Sequence, residues 1–307
     1  MDSILITGAT GFIGSNIAEG LLKKGYKIYA TYRTSSLFDR INFIRDKIEW
    51  VNTDETNWGK YIKAIKPDQL IHTAWNGLEL KDRNNWDRQI GNFWFSKELF
   101  DLAKESGTKK IISFGSQAEY GKYGFPVNEK TAPQPDDAYG AVKTLTANYL
   151  RHLFYNTKST WYWMRLFSVF GERENPTWLI PAVISALLKN DPLCLTPCEQ
   201  VYNYMYIKDL VTQIVFIVQN NRNDSGIYNI CNTKSIVLKE LVLQLAALIG
   251  VSESLLKFGC IPYRPGQNMF ISGDNSKFKK TFCFNEKDLL GLATGLKKTI
   301  EYYKKKA

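Results

Sequence analysis

No stretch of this chain is apolar for anything near the roughly 20 residues that a membrane span requires. A strand, Ile4-Leu5-Ile6, begins almost at once and leaves no room for a signal peptide. Cysteines are few: five in 307 residues (Cys194, Cys198, Cys231, Cys260 and Cys283), an odd number without CxxC spacing. They read as reduced, mostly buried thiols of a cytoplasmic protein, not as disulfides or zinc ligands, and no metal site is expected. Histidine is scarcer still, with only His72 and His152. Internal repeats and low-complexity linkers are absent. Clustered basic residues are also missing, apart from Lys304-Lys305-Lys306 at the end, which reads as a solvated helix terminus. The net charge of +10 therefore argues for an anionic small-molecule substrate and gives no support to a nucleic-acid partner.

Hydrophobic content of 44% and charged content of 23% are those of an ordinary globular protein. Short apolar segments (Ile4–Ile6, Lys27–Thr31, Ile48–Asn52, Gln69–His72, Lys110–Phe114, Trp161–Leu166) alternate with helical patterns at Ile13–Lys24, Phe93–Lys104 and Tyr139–Leu153. This rhythm predicts an α/β fold: a doubly wound parallel sheet of Rossmann type over residues 1–170, covered by helices on both faces. Beyond Gly171 the pattern becomes mixed, with helices at Pro181–Lys189, Ile207–Gln219, Val237–Ile249 and Leu289–Lys304 and a strand at Gly226–Cys231. Residues 171–307 are expected to form a smaller mixed α/β substrate domain, with about 203–232 returning to the first domain.

The string Thr7-Gly8-Ala9-Thr10-Gly11-Phe12-Ile13-Gly14 lies between the first strand and the first helix. Gly8 permits a tight turn, Gly11 a close approach of backbone to a pyrophosphate, and Gly14 close packing of helix on strand; the helix N-terminus faces the negative charge. An NAD site wants a carboxylate near the end of the second strand, to accept from the ribose hydroxyls. Here Tyr32-Arg33-Thr34-Ser35 has none, and Arg33 suits the 2′-phosphate of NADP(H), although an exposed loop arginine reads the same way.

Tyr139 and Lys143 lie four apart on one helical face. A phenol with a reference pKa of about 10 needs help to exchange protons near neutrality, and a neighbouring ammonium supplies it. The fifth strand runs into Gly115-Ser116-Gln117-Ala118-Glu119-Tyr120-Gly121 at the carboxyl edge of the sheet, where ligands bind in such folds.

These motifs resemble the extended branch of the short-chain dehydrogenase/reductase superfamily (the NAD-dependent epimerase/dehydratase family), over essentially the whole chain. The resemblance implies Ser116, Tyr139 and Lys143 as the catalytic group, and Asp54 and Ala74 as further cofactor contacts. It implies Arg264, in Tyr263-Arg264-Pro265-Gly266, as the diphosphate ligand, and a nucleotide-diphosphate sugar as substrate. Trp75, Asn76, Gln117 and Trp178 are candidate sugar- or base-facing residues. Tyr202-Asn203-Tyr204 departs from the Arg-Asp-Phe common in the family, which weakens transfer of nucleotide contacts there. A homodimer through the Phe93–Lys104 and Tyr139–Leu153 helices is also implied.

Family dehydratases carry an Asp-Glu pair where this chain has Gln117 and Ala118, and Glu119 is expected to be structural. His72 reads as a packing or hydrogen-bonding residue. What remains is a 4-ketoreductase with exchangeable NADPH, resembling the CDP-abequose and CDP-paratose synthases. A 4-epimerase with retained NAD stays open, as does, more distantly, a non-catalytic NADP-binding regulator.

Overall fold

A computed structural model describes residues 2–220 and 222–306. Its centre is a seven-stranded, all-parallel sheet. Six strands come from the first half: β1 (Ser3–Thr7), β2 (Lys27–Tyr32), β3 (Glu49–Asn52), β4 (Gln69–His72), β5 (Lys110–Ser116) and β6 (Thr160–Leu166). The seventh, Gly226–Ile230, pairs with β6 and comes from much later in the chain. Across the sheet the order is seventh-β6-β5-β4-β1-β2-β3, so the winding reverses between β1 and β4. A crevice opens at such a switch point, beyond the carboxyl ends of the strands.

Burial on both faces explains the continuous apolar runs. Every residue of β4, β5 and β6 is buried. On one face lie α1 (Phe12–Lys23) and the lobe helices. On the other lie α2 (Trp58–Ile65), a single turn α3 (Leu80–Arg83), α4 (Trp86–Glu105) and α5 (Ala138–Leu153). The α4 helix starts well before the expected Phe93, at an Asn85 cap that accepts from Arg88 N at 3.0 Å. The first two turns of α4 bury the polar Gln89 and Asn92, so apolar periodicity was lost there.

The second half is a mixed lobe with α6 (Leu179–Leu188), α7 (Ile207–Gln219), α8 (Leu238–Ile249), α9 (Ser276–Phe282) and α10 (Gly291–Lys304). Its strands are short: Val201–Tyr202 lies between Ile236–Val237 and Phe270–Ile271, and Leu193–Leu195 pairs with Leu256–Phe258. That last pairing corrects the cysteine reading. It brings Cys194 and Cys260, 66 residues apart in sequence, to a Cα–Cα distance of 5.2 Å, and they form a disulfide. Cys198 and Cys231 remain free and buried, and Cys283 free and exposed. No helix among the described residues is long and apolar enough to cross a membrane.

Candidate active site

The glycine turn follows β1 at the switch point. Gly8 has a positive φ of 73°, and a Cβ there would stand 2.6 Å from Thr73 Oγ1 and 2.7 Å from Ala74 N, at the end of β4. A Cβ on Gly14 would fall 2.2 Å from the Gly8 carbonyl oxygen. Both positions therefore demand glycine. Gly11 caps α1 without any side-chain hydrogen bond, which leaves the first amides of the helix for another acceptor. Thr10, Phe12 and Ile13 are half-buried around that turn. An uncapped helix start beside a glycine cradle fits the pyrophosphate of a dinucleotide.

At the end of β2, Arg33 is exposed, with its amide donating to Ser36 Oγ at 3.0 Å. Asp54 accepts from the Thr34 amide at 2.7 Å, tying the ends of β2 and β3, and that bond holds its carboxyl below the ordinary value. No carboxylate occupies the segment from Tyr32 to Ser36 itself.

The structure gathers Ser116, Tyr139 and Lys143 at the end of β5. Asp137 caps α5, accepting from Gly140 N at 2.8 Å, and so sets where the Tyr139–Lys143 face points. Ser116 is buried, and its hydroxyl oxygen accepts from Ala118 N at 3.2 Å. Lys143 Nζ donates to the Phe114 carbonyl at 2.6 Å and lies 3.5 Å over the Trp75 ring. Burial pushes the Tyr139 phenol up, while Ser116 and the Arg83 guanidinium pull it down and Glu119 and Asp137 push it further up. Burial also lowers Lys143 to about 7, against the attraction of Glu119.

Two cations stand near the Tyr139 ring, the Lys143 ammonium 5.9 Å and the Arg83 guanidinium carbon 4.6 Å from its centre.

Trp75 meets Tyr139 edge-on, with ring centres 6.0 Å apart, and its indole N–H donates to Gln89 Oε1 at 2.8 Å. Asn76 is exposed, and its amide and carbonyl are both held by Asn92. Gln117 lines a cleft with Tyr123, Phe125, Phe167, Asn268 and Phe270. Trp178 and Arg264 are exposed. Among the described residues, no hydrogen bond or aromatic contact joins either of them to the Ser116–Tyr139–Lys143 group. Tyr202 donates to the Asn268 carbonyl at 2.6 Å, on the wall of the same cleft.

Glu119 is fully buried. It accepts from Ser116 N (2.9 Å), Trp163 Nε1 (2.8 Å) and Arg165 Nε (2.8 Å). A carboxylate so occupied shapes the turn that presents Ser116 and is not free for proton transfer. Gly115 follows from the same packing, because a Cβ there would meet Trp163 Nε1 at 2.2 Å. His72 bridges Thr7 Oγ1 (2.7 Å) and Ser96 Oγ (2.9 Å). Burial and the nearby Lys143 lower it to about 3, so it stays neutral near pH 7. The sequence reading passed over Arg83 and Gln89 altogether, since neither lies in a recognisable motif.

The profile described as "NAD dependent epimerase/dehydratase family" matches residues 4–231. The chain belongs to that family. Within it, the chain is similar to the dTDP-6-deoxy-L-talose 4-dehydrogenase (NAD(+)) of Aggregatibacter actinomycetemcomitans, at 25% identity over 88% of this chain and 99% of the relative. It is also similar to the CDP-abequose synthase of Yersinia pseudotuberculosis, at 24% identity over 92% and 95%. Among solved structures, a UDP-N-acetylglucosamine 4-epimerase from Methanobrevibacter ruminantium aligns with a TM-score of 0.88 at 22% identity, covering 100% of this chain and 99% of that one. The NAD complex of dTDP-glucose 4,6-dehydratase from Bacillus anthracis aligns with a TM-score of 0.84 at 21% identity, over 99% and 97%. These structures share the fold of this family member. The extended short-chain dehydrogenase/reductase reading of the sequence holds, and with it a nicotinamide dinucleotide as the family's cofactor.

Proposed function

We propose that this protein reduces the C4 keto group of a nucleotide-linked 4-keto-6-deoxyhexose, CDP- or dTDP-linked, with NADPH as the hydride source. The observation that carries the reading is the state of the residues after Ser116. Gln117 and Ala118 have no acid or base to offer, and Glu119 is consumed by three donors. The turn after Ser116 therefore adds no acid or base to Tyr139 and Lys143, which a ketone reduction does not need and a removal of water does. Two relatives whose names end in a 4-dehydrogenase and a CDP-abequose synthase agree with chemistry at that carbon.

The cofactor, when bound, supplies the hydride. Ser116 Oγ, at the carboxyl end of β5, orients the substrate carbonyl oxygen. Tyr139 donates its proton to that oxygen, and Lys143 restores the balance of charge beside it. Arg33 and the missing carboxylate after β2 favour NADPH, although the name of the dTDP-6-deoxy-L-talose 4-dehydrogenase relative specifies NAD(+). Gly8, Thr10, Gly11, Phe12, Ile13, Gly14, Asp54 and Ala74 complete the proposed cofactor contacts, and Arg264 remains the proposed diphosphate ligand. Exposed Trp94 and Leu145 on α4 and α5 support a homodimer through those helices.

The test is nicotinamide oxidation, followed by absorbance, with CDP-, dTDP- and GDP-linked 4-keto-6-deoxyhexoses and with NADPH and NADH in parallel. Turnover with NADPH on one nucleotide, lost about 10²- to 10⁴-fold in Tyr139→Phe, is expected. No turnover with any of them, together with NAD that co-purifies, would replace the reading with a 4-epimerase.

A further inference from the structure

Two cations flank the Tyr139 ring. Lys143 belongs to the superfamily's catalytic pair, whereas Arg83 comes from α3, one turn that precedes α4. The Arg83 guanidinium carbon stands 4.6 Å from the Tyr139 ring centre, inside the range of a cation–π contact. Its Nε donates to Asp137 Oδ2 at 2.7 Å, with the arginine side chain 24% and the aspartate 20% exposed.

Asp137 does two things at once. Its other oxygen caps α5 through Gly140 N, so one carboxylate fixes both the helix that carries Tyr139 and the cation beside the ring. A second bond docks the same turn, because Ala138 N donates to Asn84 Oδ1 at 3.1 Å. Buried Gln89 braces both sides of the phenol. Its amide donates to the Asp82 carbonyl at 3.1 Å, under α3, and its oxygen accepts from Trp75, whose ring covers Lys143.

The charged and titratable groups that face Tyr139 can be named element by element. Its own helix contributes Asp137 and Lys143. The turn after β5 contributes Ser116 and Glu119, the latter paired with Arg165 of β6. From β4, neutral His72 stands behind Lys143. Among the described residues, only Arg83 is a cation both nearer the ring centre than Lys143 and without a backbone carbonyl partner in the site.

We infer that Arg83 is a second positioning residue for the acid Tyr139: held by Asp137 against the ring, its charge favours the phenolate and brings proton release closer to neutrality. The inference rests on the reading of Tyr139 as the acid, but its test needs neither substrate nor cofactor. An opposite charge within about 4–6 Å moves a titration by roughly 1–3 pH units, and partial exposure puts Arg83 at the low end.

The experiment replaces the tyrosine by a more acidic probe, Tyr139→3,5-difluorotyrosine, which titrates where the protein stays folded. Fluorine NMR then reports that residue alone, in the otherwise unchanged chain and in Arg83→Gln, Arg83→Met and Arg83→Lys backgrounds. The neutral variants should raise the midpoint by about one pH unit, and Arg83→Lys should keep it near the unmutated value. Because α3 is a single turn at the surface, these variants should fold, and either neutral one suffices. A midpoint unmoved in the folded neutral variant, or moved equally by Arg83→Lys, overturns the inference. Arg83 would then only dock α3, lowering melting temperature without touching the titration. Failure of the reductase assay leaves this result intact, and an unmoved midpoint leaves the reductase reading intact.

Discussion

Glu119 Oε2 and Arg165 Nε meet at 2.8 Å inside the protein, with the two side chains only 0% and 3% exposed. A pair this deep is costly to assemble, yet breaking it strands a buried guanidinium, at about 3–5 kcal/mol. Glu119 also holds the Ser116 amide and the Trp163 indole, so it fixes the turn that carries the site.

Glu119→Gln is therefore expected to act on stability first. Denaturant unfolding should show a loss on the order of 3 kcal/mol, while turnover measured well below the new melting temperature falls by no more than a factor of a few. The opposite pattern, an unchanged melting curve with turnover lost, would make Glu119 a working acid or base. It would return dehydration to the candidate reactions.

Arg33 is exposed at the end of β2 with its side chain free to meet a phosphate. A hydrogen bond to a charged group contributes about 1.5–3 kcal/mol, or roughly ten- to a hundredfold in binding. Arg33→Ala should raise KM for NADPH by about that factor, leave KM for NADH unchanged, and narrow the gap between the two as salt is added. Equal effects on both cofactors would place the 2′-phosphate ligand elsewhere.

How much of this was legible beforehand follows from the range over which each feature is encoded. The Gly8–Gly14 turn and the Tyr139–Lys143 pair are local: a φ of 73° at Gly8 and one helical turn between two side chains are written in consecutive residues. The strands of the sheet were visible for the same reason, since burial on both faces leaves unbroken apolar runs. Features assembled from distant segments were not visible. Cys194 meets Cys260, 66 residues on, only because two three-residue strands of the lobe pair with each other. For Glu119 a structural role was expected, but its partners Trp163 and Arg165 on the adjacent strand were not. Arg83 acquires its position from α3 docking on the start of α5, and the start of α4 was hidden because Gln89 and Asn92 spend their polarity inside, on Trp75 and Asn76.

Trp94 is 60% exposed on α4 and Leu145 43% exposed on α5, and the two helices pack side by side. Large apolar side chains left exposed on two adjoining helices are suited to a second copy of the same face, as twofold symmetry requires. Light scattering should find a dimer for the unmutated protein and a monomer for the double variant Trp94→Glu, Leu145→Glu. A monomer in both, or a dimer in both, would remove this face from consideration.

Glu174 offers a pH test independent of catalysis. It is 6% exposed, and its carboxylate accepts only from Gly171 N, at a long 3.4 Å, so burial raises its pKa to about 8. In the unfolded chain the same group titrates near 4.5. Between those values the native state binds the proton that the unfolded state has released, so stability falls as pH rises through that window and levels off above about 8. His72 and Lys143, both depressed by burial, push the other way: the unfolded state binds their protons more readily, and stability gains as pH rises through their own windows. A total pH profile therefore cannot isolate Glu174, but a difference can. Glu174→Gln preserves the shape and the acceptor for Gly171 while removing the titration. Urea unfolding should give the two proteins similar stability below pH 4.5, with the glutamine variant ahead by a few kcal/mol at pH 8.5. A difference that does not change with pH would mean that the carboxyl group ionises in the native protein as it does in water.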